Sequence, residues 1–179
     1  MATLSTLDPT LSGITSGVDI YSLLKRCSKC RMFTNSGKFI IAHHQLPQLL
    51  SNAKHLKNFG CIVNTAPKNT NEIAHWFAIL KFGRRLFVCD SLNNMSKYPD
   101  VKQNVLAFCS NNNLDYEDLK FPCQELSSVS CGYISLFFIA KGSVSNSRSF
   151  LSTIHVLRQY SIKTREKWIL SFVKKHFKL

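Results

Sequence analysis

The sequence has no long uninterrupted apolar run. Its longest candidate, Tyr133 to Ala140, is far shorter than the roughly 18 apolar residues that a membrane-spanning helix needs. The opening residues, MATLSTLDPTLSG, contain no basic segment followed by an apolar one, so we expect no secretory signal peptide. Internal repeats and low-complexity linkers are also missing. These absences predict a chain that is neither secreted nor associated with a membrane.

Acidic residues are scarce. The 179 residues include 10 Asp and Glu against 23 Lys and Arg, which gives a formal net charge of +13. Four of the acids, Asp115, Glu117, Asp118 and Glu125, lie in one short stretch, so we expect the rest of the surface to be strongly positive. Because nucleic acid releases counterions when a basic surface binds it, the charge favours non-specific DNA binding. A solvated basic surface without a partner is the alternative.

Length and composition predict one folded domain. Hydrophobic residues make up 45% of the chain and charged residues 18%, which is enough to build a packed core. The Ser-, Thr- and Gly-rich residues 1–17 are predicted to form a flexible N-terminal arm, and residues 18–179 the single domain.

Apolar periodicity predicts the elements of that domain. Helical spacing covers Val18–Arg31, Asp100–Phe108 and Thr164–Phe177, the last with Trp168, Ile169, Phe172 and Val173 facing the core, and a wholly apolar buried helix begins at Cys131. Strands are predicted at residues 39–41, 60–65, 75–82, 86–90 and 116–124. The Gly83-Arg84-Arg85 link is short enough for a hairpin. We therefore predict an α+β fold with a central, mostly antiparallel sheet packed by helices.

The seven cysteines are an odd number, so they are unable to pair completely within the chain. Without a secretory signal we expect reduced thiols, with metal binding or catalysis as the reasons to keep particular ones. Cys61 and Cys89 fall in predicted strands and are expected to be inert core residues.

One cysteine pair has the spacing of a zinc site. Cys27-x-x-Cys30 is followed by His43-His44. The pair falls within a predicted helix, however, where Cys27 also suits the apolar face, and we therefore expect no metal. His176 shows no partner pattern.

Four polar residues stand at the ends of apolar segments. His75 begins one predicted strand, Asp90 ends the next, Gln124 ends a third, and Cys131 begins the buried helix. Taken singly, His75 and Asp90 would be ordinary hydrogen-bonding and turn residues. Together the four residues supply every group that a cysteine protease needs.

Each residue type suits one step of that chemistry. The positive end of the helix dipole favours the thiolate of Cys131, and the imidazole of His75 would take up its proton. The carboxylate of Asp90 would orient that imidazole. The side-chain amide of Gln124, with the backbone N–H of Cys131, would stabilise an oxyanion. Gly132 leaves room for a substrate carbonyl.

These motifs resemble the adenovirus protease (adenain) family, whose clan includes the SUMO-specific proteases. The resemblance lies in His75-Trp76, in Cys89-Asp90-Ser91, and in Gln124 seven residues before Cys131-Gly132. Two further stretches resemble adenain, Ile62-Val-Asn-Thr-Ala and the C-terminal segment that begins at Trp168. The likeness runs discontinuously over nearly the whole domain.

The resemblance implies a cysteine endopeptidase that acts through a thioacyl-enzyme. It assigns Cys131 as nucleophile, His75 as general base, Asp90 as the acid that orients His75, and Gln124 as oxyanion donor. Trp76 would lie against the catalytic centre. Adenain has Glu at the position of Asp90, whereas other members of the clan have Asp.

The family also implies substrates and a compartment. Its proteases are carried by viruses, virophages and capsid-encoding transposons, and they mature capsid and core precursor proteins at small Gly-containing sites. We therefore expect a monomer that acts in the virion and inside the host cell, in the nucleus or in a viral factory.

The chemistry of the family needs no cofactor, but DNA and a short basic capsid-derived peptide stimulate adenain. The DNA-contact candidates in this chain are basic residues of the predicted hairpin and of the last helix: Arg84, Arg85, Lys174, Lys175 and Lys178. The activating peptide forms a disulfide with a non-catalytic cysteine of adenain. Cys109 and Cys123 are nearest to that position, but neither falls on it, so we do not expect this disulfide.

Two other functions compete with this interpretation. One is a deubiquitinase or SUMO-type protease, because the clan shares the catalytic core and recognises Gly-Gly ends. The other is a non-catalytic, basic nucleic-acid-binding protein of the virion, in which His75 and Cys131 would have no chemical role.

Overall fold

A five-stranded mixed sheet with helices on both faces forms the fold, as the computed structural model describes it for residues 17–35, 38–66 and 75–179. The strands are β1 (Ile40–Ala42), β2 (Asn58–Asn64), β3 (Trp76–Phe82), β4 (Arg85–Cys89) and β5 (Asp115–Asp118). The helices are α1 (Gly17–Leu24), α2 (Ser28–Phe33), α3 (Leu46–Ala53), α4 (Pro99–Asn111), α5 (Cys131–Val144), α6 (Ser147–Arg158) and α7 (Ile162–Phe177). The predicted α+β class is confirmed.

The strands lie in the order β1-β2-β3-β4-β5. The two longest ladders, β2–β3 and β3–β4, are antiparallel, whereas β1 and β5 pair in parallel at the two edges. Gly83, with a φ of 59°, makes the tight turn between β3 and β4, a backbone conformation that glycine adopts without strain.

Alternate residues of the central strands face two separate cores. On one face, Ala78 and Leu80 pack among α1, α2, α5, α6 and α7. On the other face, Phe77 and Ile79 pack against α3 and α4. Both faces of β3 are therefore buried, which explains why its sequence is apolar at nearly every position.

The predicted first helix is two helices. α1 ends at Leu24, and Cys27 has extended backbone angles, so the predicted helix over Val18–Arg31 is wrong at residues 25–27. The Cys27 thiol caps the start of α2 by accepting a hydrogen bond from the backbone N–H of Cys30, at 3.3 Å.

The predicted strand at 116–124 is mostly a loop. β5 ends at Asp118, Lys120 has a positive φ of 44°, and Pro122 has no N–H to donate to a ladder. Residues 119–130 therefore form the connection that carries Gln124 towards α5.

Other differences concern helices. α3 and α6 were not predicted from the sequence as separate elements. The core face of α7 holds Ile169, Leu170 and Val173, whereas Trp168, expected on that face, is 44% exposed. Residues 1–16 of the predicted arm lie outside the described residues, and Gly17 begins α1. Among the described residues, no helix is long and apolar enough to cross a membrane.

α5 is the central helix, and it lies against the sheet at a glycine. Residues 131–140 are all buried, as predicted. A Cβ atom at Gly60 of β2 would lie 2.5 Å from Phe33 Cε1 and 2.7 Å from Ile139 Cδ1. The missing side chain at Gly60 therefore lets the sheet, α2 and α5 come together.

We predict that Gly60→Ala destabilises the protein by about 1–3 kcal/mol, because an added methyl group overpacks this contact. Urea unfolding measures the change. Gly83→Asn is the matched control, since no atom lies within 4 Å of a Cβ there and Asn tolerates a positive φ. An unchanged unfolding midpoint for Gly60→Ala would contradict the close approach.

Candidate active site

The β3–β4 hairpin places His75 beside Asp90. His75 directly precedes β3 and Asp90 directly follows β4, so the antiparallel pairing puts both at the same end of the hairpin. The Nε2 atom of His75 lies 2.6 Å from Oδ1 of Asp90. Both residues are buried, with 8% and 4% of their surfaces exposed. They form an ion pair whenever the imidazole is protonated.

The backbone after β4 holds the Asp90 carboxylate in place. Oδ1 accepts the N–H of Leu92 at 3.0 Å, and Oδ2 accepts the N–H of Asn94 at 2.6 Å. Burial alone would raise the Asp90 pKa, but the hydrogen bond and charge of His75, together with these backbone bonds, outweigh it and lower the pKa. Asp90 is therefore a carboxylate at neutral pH.

The backbone of His75 is fixed by the end of β2. Its N–H donates to Oγ1 of Thr65 at 3.0 Å, and its carbonyl accepts the N–H of Thr65 at 2.9 Å. The ring of Tyr98 lies parallel to the imidazole, with 6.4 Å between the ring centroids. These contacts hold the backbone of His75 in place and put an aromatic ring alongside the imidazole.

The Cys131 side chain is close enough to the imidazole to raise its pKa. Since Nε2 is paired with Asp90, Nδ1 is the ring nitrogen that remains for the thiol. Burial alone would lower the pKa of His75, but the hydrogen bonds and charges of Asp90 and Cys131 outweigh it and raise the pKa to about 9. The imidazole therefore carries a proton until the pH rises through about 9.

Cys131 is the first residue of α5 and is 7% exposed. Its backbone N–H belongs to the first turn, where N–H groups have no acceptor within the helix. Ser130, the preceding residue, makes no capping hydrogen bond to that turn. The first turn of α5 is thus suited to stabilise a negative charge next to the thiol.

Gln124 is buried and held at both ends of its amide. Oε1 accepts the hydroxyl of Ser91 at 2.6 Å, and Nε2 donates to the carbonyl of Ser128 at 2.7 Å. An amide nitrogen carries two hydrogens. Among the described residues one of them has an acceptor, the carbonyl of Ser128, and the second has none.

A buried carboxylate that the sequence analysis missed holds the loop between Gln124 and Cys131. Glu166 of α7 accepts the backbone N–H of Glu125 at 2.8 Å and the hydroxyls of Ser128 and Ser130. It is 5% exposed. One feature of the sequence could have indicated Glu166. It is an acidic residue in a helix whose other charged residues are all basic.

Arg165, next to Glu166, holds the start of the same loop. Its Nη1 donates to the carbonyl of Pro122 at 2.8 Å, and its guanidinium lies 5.3 Å from the centre of the Phe121 ring. Two neighbouring residues of α7 thus position the segment that carries Gln124. Trp76 is buried in the same core cluster as Cys131.

The basic residues proposed for DNA contact are not gathered at this site. Arg84 and Arg85 lie at the turn end of the hairpin, about 20 Å from His75 by the length of β3. Arg85 also pairs with Glu117 at 2.7 Å, so part of its charge is neutralised. In and after the last turn of α7, Lys175 and Lys178 are exposed, and Lys174 is half-buried.

Four other cysteines named from the sequence, Cys61, Cys89, Cys109 and Cys123, are buried. Cys61 and Cys89 are core residues, as predicted. Burial raises the pKa of Cys61 to about 12, and burial together with Asp115 raises that of Cys109 to about 11. Cys123 is fully buried, and burial is also the largest cause of its raised pKa. Neither Cys109 nor Cys123 is accessible for a disulfide with a peptide.

The residue beside Cys27 and Cys30 is His176 of α7. His43 and His44, which suggested a zinc spacing in the sequence, are not part of this group.

We predict that Asp90→Asn lowers the pKa of His75 from about 9 towards its ordinary value of 6.5, because the variant removes the carboxylate charge beside Nε2. NMR titration of the histidine ring signals measures the change. The exposed His155 of α6 serves as an internal control whose signal should not move. An unchanged His75 titration would show that Asp90 does not determine the protonation of the imidazole.

The chain was compared with known protein families and with curated proteins. No family model matches it, and neither does any curated protein.

Proposed function

We propose that the chain is a cysteine endopeptidase with Cys131 as nucleophile and His75 as acid and base. The observation that supports it is the buried His75, hydrogen-bonded to the Asp90 carboxylate through Nε2 and close enough to the Cys131 side chain for that group to raise its pKa. An imidazole between a carboxylate and a thiol at a helix start is the arrangement that activates sulfur nucleophiles.

Acylation follows from this arrangement. The Cys131 thiolate attacks the scissile carbonyl carbon, and the negative charge moves to the carbonyl oxygen. The backbone N–H of Cys131 and the second N–H of Gln124 would receive that oxyanion. As the C–N bond breaks, the His75 imidazolium gives its proton to the leaving amine, which departs as the new amino terminus.

Deacylation uses the same groups in reverse. Neutral His75 takes a proton from water, and the resulting hydroxide attacks the thioester carbon. The C–S bond breaks, the acid product leaves, and Cys131 and His75 return to the thiolate–imidazolium pair. Asp90 stays ionised and orients the imidazole throughout.

We further propose that the enzyme belongs with the adenain-type proteases and matures precursor proteins of a virion inside the host cell. The support is the order of His75-Trp76, Asp90, Gln124 and Cys131-Gly132 along the chain. Turnover of a peptide with a Gly-containing cleavage site, compared with turnover of a ubiquitin amide, separates this function from a SUMO-type or deubiquitinating one.

The net charge of +13 favours a second activity, non-specific DNA binding. A basic virion protein without catalysis would bind DNA with a steep dependence on salt and would be insensitive to changes at His75 or Cys131. One chain can both bind DNA and cleave peptides. Evidence for DNA binding therefore does not argue against proteolysis.

We predict that iodoacetamide at about pH 6 alkylates Cys131 faster than the other six cysteines, because an ordinary thiol is almost wholly protonated at that pH. Mass spectrometry of each cysteine peptide measures the rates. His75→Ala should abolish the preference, and Cys131→Ala should lower peptide turnover by more than about 10⁴-fold.

The outcomes separate the candidate functions. If Cys131 is no faster than the buried Cys109, the measurement is repeated with DNA, which tests whether an activator completes the site. Uniform rates in both conditions, or cleavage retained by Cys131→Ala, would overturn the protease proposal. Uniform alkylation rates, with and without DNA, would favour the non-catalytic nucleic-acid-binding protein.

Glu166 is predicted to be a positioning residue for the oxyanion donor. Glu166→Gln should lower kcat by about 10–100-fold with little change in KM, because the interaction that it supports forms in the transition state. Alkylation of Cys131 at about pH 6 should be unchanged, since the contact between His75 and Cys131 does not involve Glu166.

Lys167→Gln is the matched control, because Lys167 is the exposed neighbour of Glu166 on the same helix. Equal losses of kcat in the two variants, or slower alkylation of Cys131 in Glu166→Gln, would contradict the positioning role.

A further inference from the structure

Two cysteines and a histidine meet away from the proposed active site. The side-chain ligand atoms of Cys27, Cys30 and His176 all lie within 4.8 Å of one another, and Cys30 Sγ is 3.9 Å from His176 Nε2. The cysteines lie at the start of α2 and the histidine in the last turn of α7. Within residues 17–35, 38–66 and 75–179 this is the one group of three or more such ligands.

We propose that Cys27, Cys30 and His176 bind a zinc ion that joins α2 to the end of α7. Thiolates and imidazole are the ligands that zinc prefers in proteins, and two cysteines separated by two residues are typical of its sites. This proposal replaces the expectation, drawn from the sequence, that the chain has no metal.

The ligand atoms, which lie within 4.8 Å of one another, would have to contract by up to about 1 Å to bind one zinc ion. In a tetrahedral site, zinc bond lengths place two sulfurs about 3.8 Å apart and a sulfur and a nitrogen about 3.5 Å apart. The distance of 3.9 Å between Cys30 Sγ and His176 Nε2 is within about half an ångström of that value.

The ligands are held in place by their neighbours. Cys27 Sγ accepts the backbone N–H of Cys30, a hydrogen bond that also stabilises a metal-bound thiolate. The His176 ring stacks on Phe172 with 5.3 Å between centroids, and it lies at 75° to the Phe177 ring with 5.0 Å between centroids.

Three protein ligands leave one tetrahedral position for water. Ser143 Oγ lies 3.6 Å from Cys30 Sγ, but its hydroxyl donates to the carbonyl of Ala140 at 3.0 Å, so it is already satisfied. The ion would join α2 and α7, which both pack on α5, the helix that begins with Cys131.

The principal alternative is a disulfide between Cys27 and Cys30. It would use the two thiols and leave the neighbouring imidazole without a role. The closeness of His176 is therefore the observation that favours a metal over a disulfide.

The test is metal binding by the 179-residue chain under reducing conditions. After Zn²⁺ loading and gel filtration, elemental analysis should find about one zinc per chain, and Co²⁺ should give the absorption bands of a tetrahedral thiolate site. Zn²⁺ at about 100 times its Kd should raise the Tm by about 5–10 °C.

Variants locate the ion. Cys27→Ser should lose the metal and the rise in Tm while keeping the fold, because serine also caps helices well. His176→Gln should lose them too. Cys131→Ala and the exposed-site variant His155→Gln should keep one zinc per chain, which separates this site from the proposed active site.

Three results would overturn the proposal. They are absence of zinc and cobalt binding by the reduced wild type, full zinc retention in His176→Gln, and loss of zinc in Cys131→Ala. A Cys27–Cys30 disulfide in protein purified without reductant, together with no metal binding after reduction, would assign the pair to redox chemistry instead.

Discussion

The register of the β3–β4 hairpin is the constraint on which the proposed active site depends. Phe82 pairs with Arg85 next to the two-residue turn, and Ala78 pairs with Cys89 at the other end of the ladder. A slip of one residue would turn the side chains of β4 to the opposite face of the sheet. The imidazole and the carboxylate would then no longer meet at 2.6 Å. A tight turn at Gly83 thus determines a distance at the far end of the hairpin.

Patterns that are local in sequence predicted much of the fold. The central strands and α5 are long apolar segments with clear ends, and a short link between two strands gives a hairpin with little ambiguity. α6 carries a readable signal that was not used: Asn146 caps it, and Phe150, Ile154 and Leu157 recur at helical spacing. The strand predicted at 116–124 failed because a positive φ and a proline, not hydrophobicity, end the pairing.

The residues that the sequence did not reveal act over long distances along the chain. Glu166 binds a backbone N–H 41 residues away, and His176 lies beside a thiol 146 residues away. No periodicity encodes such contacts, because they depend on how α7 packs on α5. His75 and Asp90, by contrast, are 15 residues apart and joined by one hairpin, so their meeting could be predicted.

α7 carries Glu166 near its start and His176 in its last turn. Ten residues of α-helix separate them by about 15 Å along the axis and fix their relative rotation. Each added residue would turn one end by about 100° relative to the other, so an insertion or deletion between them would pull either the loop contact or the cysteine contact out of place. The exposed face of α7 is free to change its residues over evolution, but the length of the helix between these two positions is not.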